Sequence, residues 1–187
     1  HEYLERGAFF RENLGDGQQV LIARALPHAD TFAPETEILS SERLESVVEG
    51  AAPLAVGVCS CRHEREHVGG RACSTPLETC TALGTAAEYL LRHGLARPLA
   101  RAELQEIVAR SRQEGFVLAA DLVARDVAFL CHCCRCCCQL LRGLNERGFP
   151  NALTTAPFAP RCEAARCTGC GRCVEACPVG ALTGAAP

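Results

Sequence analysis

The sequence predicts an α+β fold, a small mixed α/β body of short helices and strands that carries cysteine-rich loops. Two observations predict it. Helix-period apolar stripes that end at glycine alternate with short apolar runs, which are typical of buried strands. In addition, 15 of the 187 residues are cysteines, and two of the predicted strands lead directly into cysteine-rich segments. A chain of this length has one sizeable core or two small ones.

Patterns within the first 114 residues predict three helices and a strand. Residues 40–50 begin with Ser-Ser-Glu, carry an apolar stripe and end at glycine, which predicts a helix. The run at 53–58 predicts a buried strand. Further helices are predicted from about Cys80 to His93 and from about Ala100 to Glu114, each followed by glycine. Residues 1–39 are loosely patterned, and we assign them no chemical role.

Two more strands follow in the sequence. They are predicted at 115–118 and 127–130, and the second leads directly into the densest cysteine run. Residues 150–160 contain three prolines and predict a linker. The elements therefore place cysteine-rich loops at the ends of strands, where several loops can meet.

Charge and cysteine usage exclude several function classes. The net charge of −3 gives no basic footprint, so no nucleic-acid partner is expected. The sequence shows no signal peptide and no apolar run of membrane-spanning length. The odd cysteine count and adjacent Cys136-Cys137-Cys138 argue against disulfides. We expect metal-ligating thiols in the reducing cytoplasm of an anaerobic or microaerobic cell. Because the chain starts at His1 and contains no Met, we expect it to be processed or truncated.

The cysteines form three groups, of which the C-terminal one has the most specific spacing. Its members, followed by Pro178, are Cys167, Cys170, Cys173 and Cys177. The pattern C-x2-C-x2-C-x3-C-P holds a [4Fe–4S] cluster in bacterial ferredoxins. Gly169 and Gly171 supply the backbone freedom to wrap a cluster. Zinc ribbons need two separated C-x2-C pairs, which disfavours zinc. The additional Cys162 is predicted to be a buried free thiol.

A second group surrounds a charged segment. It consists of Cys59, Cys61, Cys73 and Cys80. Four thiols suit a [4Fe–4S] or [2Fe–2S] cluster, and we favour iron–sulfur because the terminal motif already commits the chain to it. Structural zinc, including a local site at Cys59, Cys61, His63 and His67, and unligated thiols are the alternatives. The segment 62–67 predicts a solvated charged loop.

The third group places six thiols in eight residues, for which core packing gives no reason. It consists of Cys131, Cys133, Cys134, Cys136, Cys137 and Cys138. Cys131, Cys134 and Cys137 repeat the C-x2-C-x2-C spacing without the fourth cysteine. In two-cluster ferredoxins the fourth cysteine ligates the other cluster. We therefore predict that Cys177 completes this set, and that one of Cys133, Cys136 or Cys138 completes the terminal one. His132 is predicted to be a loop spacer.

Residues 158–181 resemble half of a bacterial two-cluster ferredoxin. The order from Cys59 onward is also similar to a family of cysteine-rich 4Fe–4S binding proteins of anaerobes. Its members share C-x-C-R, two further cysteines and a C-x-C-C-x-C-C-C run before a ferredoxin end. The matching residues are Cys59, Cys61, Arg62, Cys73, Cys80, Cys131, Cys133, Cys134, Cys136, Cys137, Cys138 and the terminal four. The resemblance implies several clusters without naming a reaction.

Taken together, these patterns predict three segments and an electron-transfer role. Residues 1–50 form an N-terminal segment without an assigned role. Residues 51–130 form the α+β body with the first cysteine group, and 131–187 form a C-terminal ferredoxin-like cluster-binding region. We expect two or three [4Fe–4S] clusters, three being favoured, that relay electrons to a redox partner protein or larger oxidoreductase complex. The alternatives are a reductase whose unusual cluster at 131–138 binds a small substrate, and an iron–sulfur redox sensor. The sequence shows no nucleotide loop, nucleophile motif or flavin fingerprint.

Overall fold

The computed structural model describes residues 3, 6–14, 23–28, 32, 43–123, 125–154 and 158–184. The helices are α1 (Ala8–Leu14), α2 (Leu44–Val48), α3 (Ser60–His67), α4 (Gly84–Arg92), α5 (Arg101–Gln113), α6 (Gln139–Glu146) and α7 (Arg172–Ala176). The strands are β1 (Ala23–Leu26), β2 (Leu54–Val58), β3 (Glu78–Leu83), β4 (Ala96–Pro98), β5 (Val117–Asp121), β6 (Phe129–Cys133) and β7 (Leu153–Thr154). Short 3-10 turns lie at Pro150–Ala152 and Ala164–Arg166. None of the described helices has the length and apolar character that a membrane span requires.

The strands form one mixed sheet of seven strands in the order β4-β2-β3-β6-β5-β1-β7. All neighbouring pairs are antiparallel except β1 and β7, which run parallel. Each of the three segments proposed from the sequence contributes strands to this sheet, and β6 crosses the boundary between residues 130 and 131. The predicted α+β class is confirmed.

Helices cover both faces of the sheet because successive strand residues point to opposite sides. On one face Leu130 packs in the core that contains Leu104 of α5. On the other face Ala119 and Cys133 pack with Leu141 of α6. The cysteine-rich end of β6 therefore points its thiols away from α5 and toward α6.

Several predicted elements agree with the structure. Strand β2 and helix α5 lie where the sequence places them, and α2 confirms the helix within residues 43–50. The two later strands lie two residues further along the chain than predicted. In the loosely patterned N-terminal segment the structure describes α1 and β1. The predicted linker contains β7, and its residues 155–157 lie outside the described part of the chain.

Two predictions about local structure are wrong. The helix predicted from Cys80 begins only at Gly84, because residues 78–83 form β3 between β2 and β6. The threonines of that segment favour an extended chain, and the pairing on both sides determines the outcome. The charged segment 62–67 is not a solvated loop. It belongs to α3, and the side chain of Arg62 is buried.

Leu130 tests whether the central strands carry the stability of the fold. Its side chain is fully buried in the core between the sheet and α5. We expect Leu130→Ala to lower the free energy of unfolding by about 2–5 kcal/mol, because the deletion leaves a cavity. The matched control is Leu95→Ala, since Leu95 is 61% exposed and its truncation should change stability by less than about 0.5 kcal/mol. Anaerobic urea titrations followed by circular dichroism measure both changes, and equal losses would contradict this core.

Candidate metal centres

The cysteine run changes direction where β6 ends. Cys131 and Cys133 point from β6 to the α6 face of the sheet, whereas His132 between them faces α5. Residues 134–138 then form a turn in which the carbonyl of Cys134 accepts hydrogen bonds from the N–H groups of Cys137 at 3.4 Å and Cys138 at 3.1 Å. Strand alternation and this turn divide one stretch of sequence between two thiol groups.

The first thiol group lines a cavity of about 70 Å³, here called the six-cysteine cavity. Eight cysteines line it. Cys134 and Cys137 also belong to the second group described below, and the six that give the cavity its name are Cys59, Cys61, Cys80, Cys131, Cys133 and Cys138. The pairing of Thr81 with Leu130 places Cys80 opposite Cys131 across β3 and β6. Cys59 and Cys138 directly precede α3 and α6, so both helix starts meet the cavity. A [4Fe–4S] cluster needs four thiolates, and this cavity offers six.

Hydrogen bonds connect the thiols of the six-cysteine cavity and set which one ionises first. The pKa of Cys59 is raised by a hydrogen bond to Cys61 and by burial. A hydrogen bond to Cys138 raises the pKa of Cys61 to about 12. The pKa of Cys133 is raised by its bonds to Cys131 and Cys138. In contrast, hydrogen bonds from Cys133 and Cys61 lower the pKa of Cys138 well below its ordinary value. Among the thiols of this cavity with a shifted pKa, Cys138 thus ionises most readily, and metal binding requires thiolates.

The second thiol group is compact and is here called the four-cysteine centre. It consists of Cys73, Cys134, Cys136 and Cys137, whose Sγ atoms all lie within 4.8 Å of one another. The Sγ–Sγ distances from Cys73 are 3.8 Å to Cys134 and 3.9 Å to Cys137. Those from Cys136 are 3.7 Å to Cys134 and 3.3 Å to Cys137. Cys134 and Cys137 are buried, and the other two are half-buried.

Cys73 holds a negative charge in the four-cysteine centre. Burial alone would raise its pKa, but hydrogen bonds from Cys136, Arg71, Cys134 and Cys137 lower the pKa to about 6. Arg71 also fixes the backbone there, because its Nε donates to the Cys73 carbonyl at 2.9 Å. The loop that precedes β3 is thus held against the turn that follows β6, with a thiolate at the contact.

A buried cation lies between the two thiol groups. Arg62 of α3 is 1% exposed, and its Nη2 donates to the His132 carbonyl at 2.6 Å. Its Nη1 donates to Thr79 Oγ1, and the guanidinium lies 5.1 Å from the ring centroid of Phe116. These contacts fix the guanidinium in place beneath both thiol groups.

The positive charge of Arg62 is stabilised by the thiolates around it. Burial alone would lower the pKa of Arg62, but the negative charges of Cys134, Cys59 and Cys73 raise it above its ordinary value. These three thiols come from both groups, so one cation stabilises both. Sequence reasoning assigned no chemical role to this residue, although its position directly after C-x-C was the available signal.

His132 is a neutral strand residue whose ring faces away from the cavity thiols. Its Nδ1 lies 2.8 Å from Ser111 Oγ and its Nε2 lies 3.3 Å from Thr81 Oγ1. Burial, together with the charge of Arg62, lowers the pKa of His132 to about 3. The prediction of a loop spacer is wrong, because the residue belongs to β6 and its carbonyl anchors Arg62.

The terminal motif forms an exposed loop around the start of α7. Gly169 and Gly171 adopt left-handed φ values of 68° and 74°, which confirms the backbone freedom expected of them. Cys167, Cys170 and Cys173 are exposed, and Cys177 is half-buried. The four thiols thus lie on one continuous loop at the protein surface.

Backbone N–H groups favour the thiolate form in this loop. Burial acts to raise the pKa of Cys177, but N–H groups of residues 179–182 lower it below its ordinary value. The N–H of Arg172 likewise lowers the pKa of Cys170. Four thiols are the donor set of a [4Fe–4S] cluster, and two of these four are supported by N–H donors, so the residues fit that group.

The terminal loop docks beside the four-cysteine centre. Arg135, which lies between Cys134 and Cys136 in the sequence, donates from Nη1 to the Cys177 carbonyl at 2.8 Å. Asn145 of α6 donates to the Pro178 carbonyl at 3.0 Å. The terminal loop therefore contacts the turn of residues 134–138 through Arg135, and Val179 of the same loop packs against the hydrophobic cluster that contains Cys133 and Cys138.

The structure distributes the predicted ligands differently from the groups expected from sequence. Cys73 joins Cys134, Cys136 and Cys137, whereas Cys59, Cys61 and Cys80 join Cys131, Cys133 and Cys138. The crossed use of Cys177 as a ligand for the cluster of residues 131–137 stays a prediction. The prediction that Cys162 is buried is wrong. It is exposed on an irregular segment, where a hydrogen bond to Cys167 raises its pKa.

The alternative zinc site of two cysteines and two histidines gains no support from the described residues. His63 and His67 of α3 contact each other, with ring centroids 4.4 Å apart and an angle of 55° between the rings, and both side chains are exposed. Within the described part of the chain, only the four-cysteine centre brings three or more metal-binding side chains within 4.8 Å of one another.

Comparison with known proteins identifies the terminal region. Residues 163–183 match the family model of the 4Fe-4S binding domain, and the match contains all four terminal cysteines. No curated protein and no solved structure matches the chain. The C-terminal region is thus a ferredoxin-type domain that binds a [4Fe–4S] cluster, as its spacing predicts.

Proposed function

We propose that this chain, whose residues 163–183 form a ferredoxin-type [4Fe–4S] domain, relays electrons between redox partner proteins or within a larger oxidoreductase complex. The observation that carries the proposal is the arrangement of an exposed cluster loop directly beside buried thiol groups. An exposed cluster can exchange electrons with a partner surface. A buried one is shielded from solvent, which is one of the factors that set its potential.

The six-cysteine cavity is our candidate for a second [4Fe–4S] cluster. It offers more thiols than the four that a cubane uses, and they come from β2–α3, β3 and β6–α6. Metal sites built from several elements couple cluster binding to folding, because the ligands converge only in the folded chain. We therefore expect chelation of the iron to unfold much of the sheet.

Electrons would enter at the terminal cluster. A cluster held by Cys167, Cys170, Cys173 and Cys177 would accept one electron from a reduced donor protein. It would pass that electron to a cluster held by the cavity thiols, from which an oxidised partner protein would take it up. The surplus thiols leave no need for an open iron position, so complete coordination and simple electron exchange fit the cavity better than substrate binding.

Iron and acid-labile sulfide analysis of anaerobically prepared protein tests the two-cluster proposal. We expect about eight of each per chain, with interacting S = 1/2 signals after dithionite reduction. Combining Cys59→Ser, Cys61→Ser and Cys80→Ser leaves three of the six cavity thiols and should remove about four irons and the interaction between the signals, whereas Cys162→Ser should change neither. About four irons in the unaltered protein would refute the cavity cluster, and clusters that dithionite cannot reduce would argue against the relay.

A further inference from the structure

We propose that the four-cysteine centre (Cys73, Cys134, Cys136 and Cys137) binds one tetrahedral metal ion, and not an iron–sulfur cluster. The ion is a divalent thiolate-binding metal, zinc or iron. This site is separate from the two clusters of the proposed function, and neither depends on the other.

The spacing of the sulfur atoms carries the inference. A metal–sulfur distance of about 2.3 Å in a tetrahedron sets neighbouring sulfurs about 3.8 Å apart. The four separations described here are 3.8, 3.9, 3.7 and 3.3 Å. The thiolates of a [4Fe–4S] cluster bind four different irons around a cube, so they must stand further apart than thiolates that share one ion.

The donor set is complete, and two of its four members are buried. Four thiols fill the coordination of a tetrahedral ion and leave no open position, which is typical of structural sites. Cys134 and Cys137 are buried and pack with Phe116. The turn of residues 134–138 is held by its own backbone hydrogen bonds, so three of the ligands are preorganised.

Two cations offset part of the charge of such a centre. A divalent ion with four thiolates carries a net charge of −2, which is costly to bury without counter-charges. Arg62 lies on the core side of Cys134 and Cys73, and Arg71 hydrogen-bonds Cys73. Arg62 also acts on Cys59 of the cavity and Arg71 also pairs with Glu66 at 3.0 Å, so these cations reduce the charge and do not cancel it.

The position of the ion gives it a structural role. It would tie the loop before β3 to the turn after β6, a closure between residues 61 positions apart in the sequence. Arg135 within that turn holds the terminal loop through the Cys177 carbonyl. The ion would therefore fix the distance between the terminal cluster and the six-cysteine cavity.

X-ray absorption of the anaerobically purified full chain, combined with elemental analysis, tests the site. We expect about one such ion per chain, with four sulfur neighbours at about 2.3 Å and no iron neighbour. Zinc shows this shell at its own absorption edge. Iron in the site instead appears as about one iron in excess of sulfide, and either result supports a single-ion site.

Variants separate this site from the clusters. Cys73→Ser and Cys136→Ser should each remove the single ion while acid-labile sulfide stays unchanged. Cys80→Ser, the matched control in the cavity, should retain the ion. Loss of about four irons and four sulfides in Cys73→Ser would overturn the inference, as would an unaltered protein without a four-sulfur ion. A missing cavity cluster in the unaltered protein would contradict the proposed function alone.

Discussion

Substitution of Arg62 by glutamine is expected to lower the free energy of unfolding by about 3–5 kcal/mol. The guanidinium is almost fully buried and is held by Thr79 and the His132 carbonyl. Its removal leaves the thiolates of two metal centres without their common cation and leaves the His132 carbonyl unpaired.

The same substitution should make the midpoint potential of the cavity cluster more negative. A reduced cluster carries one more negative charge than an oxidised one, so a nearby cation stabilises the reduced form. Cys59, which lines the cavity, is one of the thiols whose charge acts on Arg62. Removal of the cation therefore makes reduction less favourable.

Anaerobic urea titration and a potentiometric titration monitored by EPR measure the two effects. Arg62→Lys should restore part of the potential but little of the stability, because lysine keeps the charge and loses the planar fork. Arg92→Gln, on the exposed side of α4, is the matched control and should change neither quantity. If Arg62→Gln matched this control in both measurements, the role given to the buried cation would be wrong.

The terminal site was predictable because its chemistry is local. All four of its ligands lie within residues 167–177, and the glycines that bend the loop lie between them. Spacing alone therefore specifies both the ligand set and the backbone conformation. Helix α5 was predictable for a similar reason, since its apolar stripe repeats within the segment itself.

The grouping of the other cysteines was not predictable from spacing. Cys73 meets Cys134 across 61 positions, and that contact depends on the sheet order that places β3 beside β6. Spacing also suggests that Cys131 acts with Cys134. Both residues line the cavity, but β6 ends between them and the turn brings Cys134 into the compact group of four as well.

The burial of Arg62 was likewise not predictable from the local charge pattern. Arginine and glutamate in α3 predict a solvated segment, and most of that segment is at least partly exposed. One position faces inward because the helix starts directly after a cysteine that lines the cavity. The partner that makes burial favourable is a set of thiolates from distant segments, and no local pattern reveals it.

Removal of one terminal ligand is expected to abolish electron exchange with a protein donor. Cys170→Ala should cost about four irons and four sulfides per chain and leave the cavity cluster reducible by dithionite. Dithionite is small enough to reach clusters that a protein surface cannot approach. The variant should therefore lose reduction by a low-potential ferredoxin donor while it keeps slow chemical reduction, a difference that stopped-flow absorbance measures.

We choose Cys170 for this variant because a neighbouring cysteine can take the place of Cys167 as a ligand. Cys162 hydrogen-bonds Cys167, so it is placed to replace that residue if Cys167 is removed. Cys170 instead accepts hydrogen bonds from the Arg172 N–H and from Thr168. Cys162→Ala removes another exposed thiol of the same segment and should leave iron content and electron uptake unchanged. Rapid reduction of Cys170→Ala by the protein donor would mean that electrons enter elsewhere, and the terminal cluster would then not be the entry point of the relay.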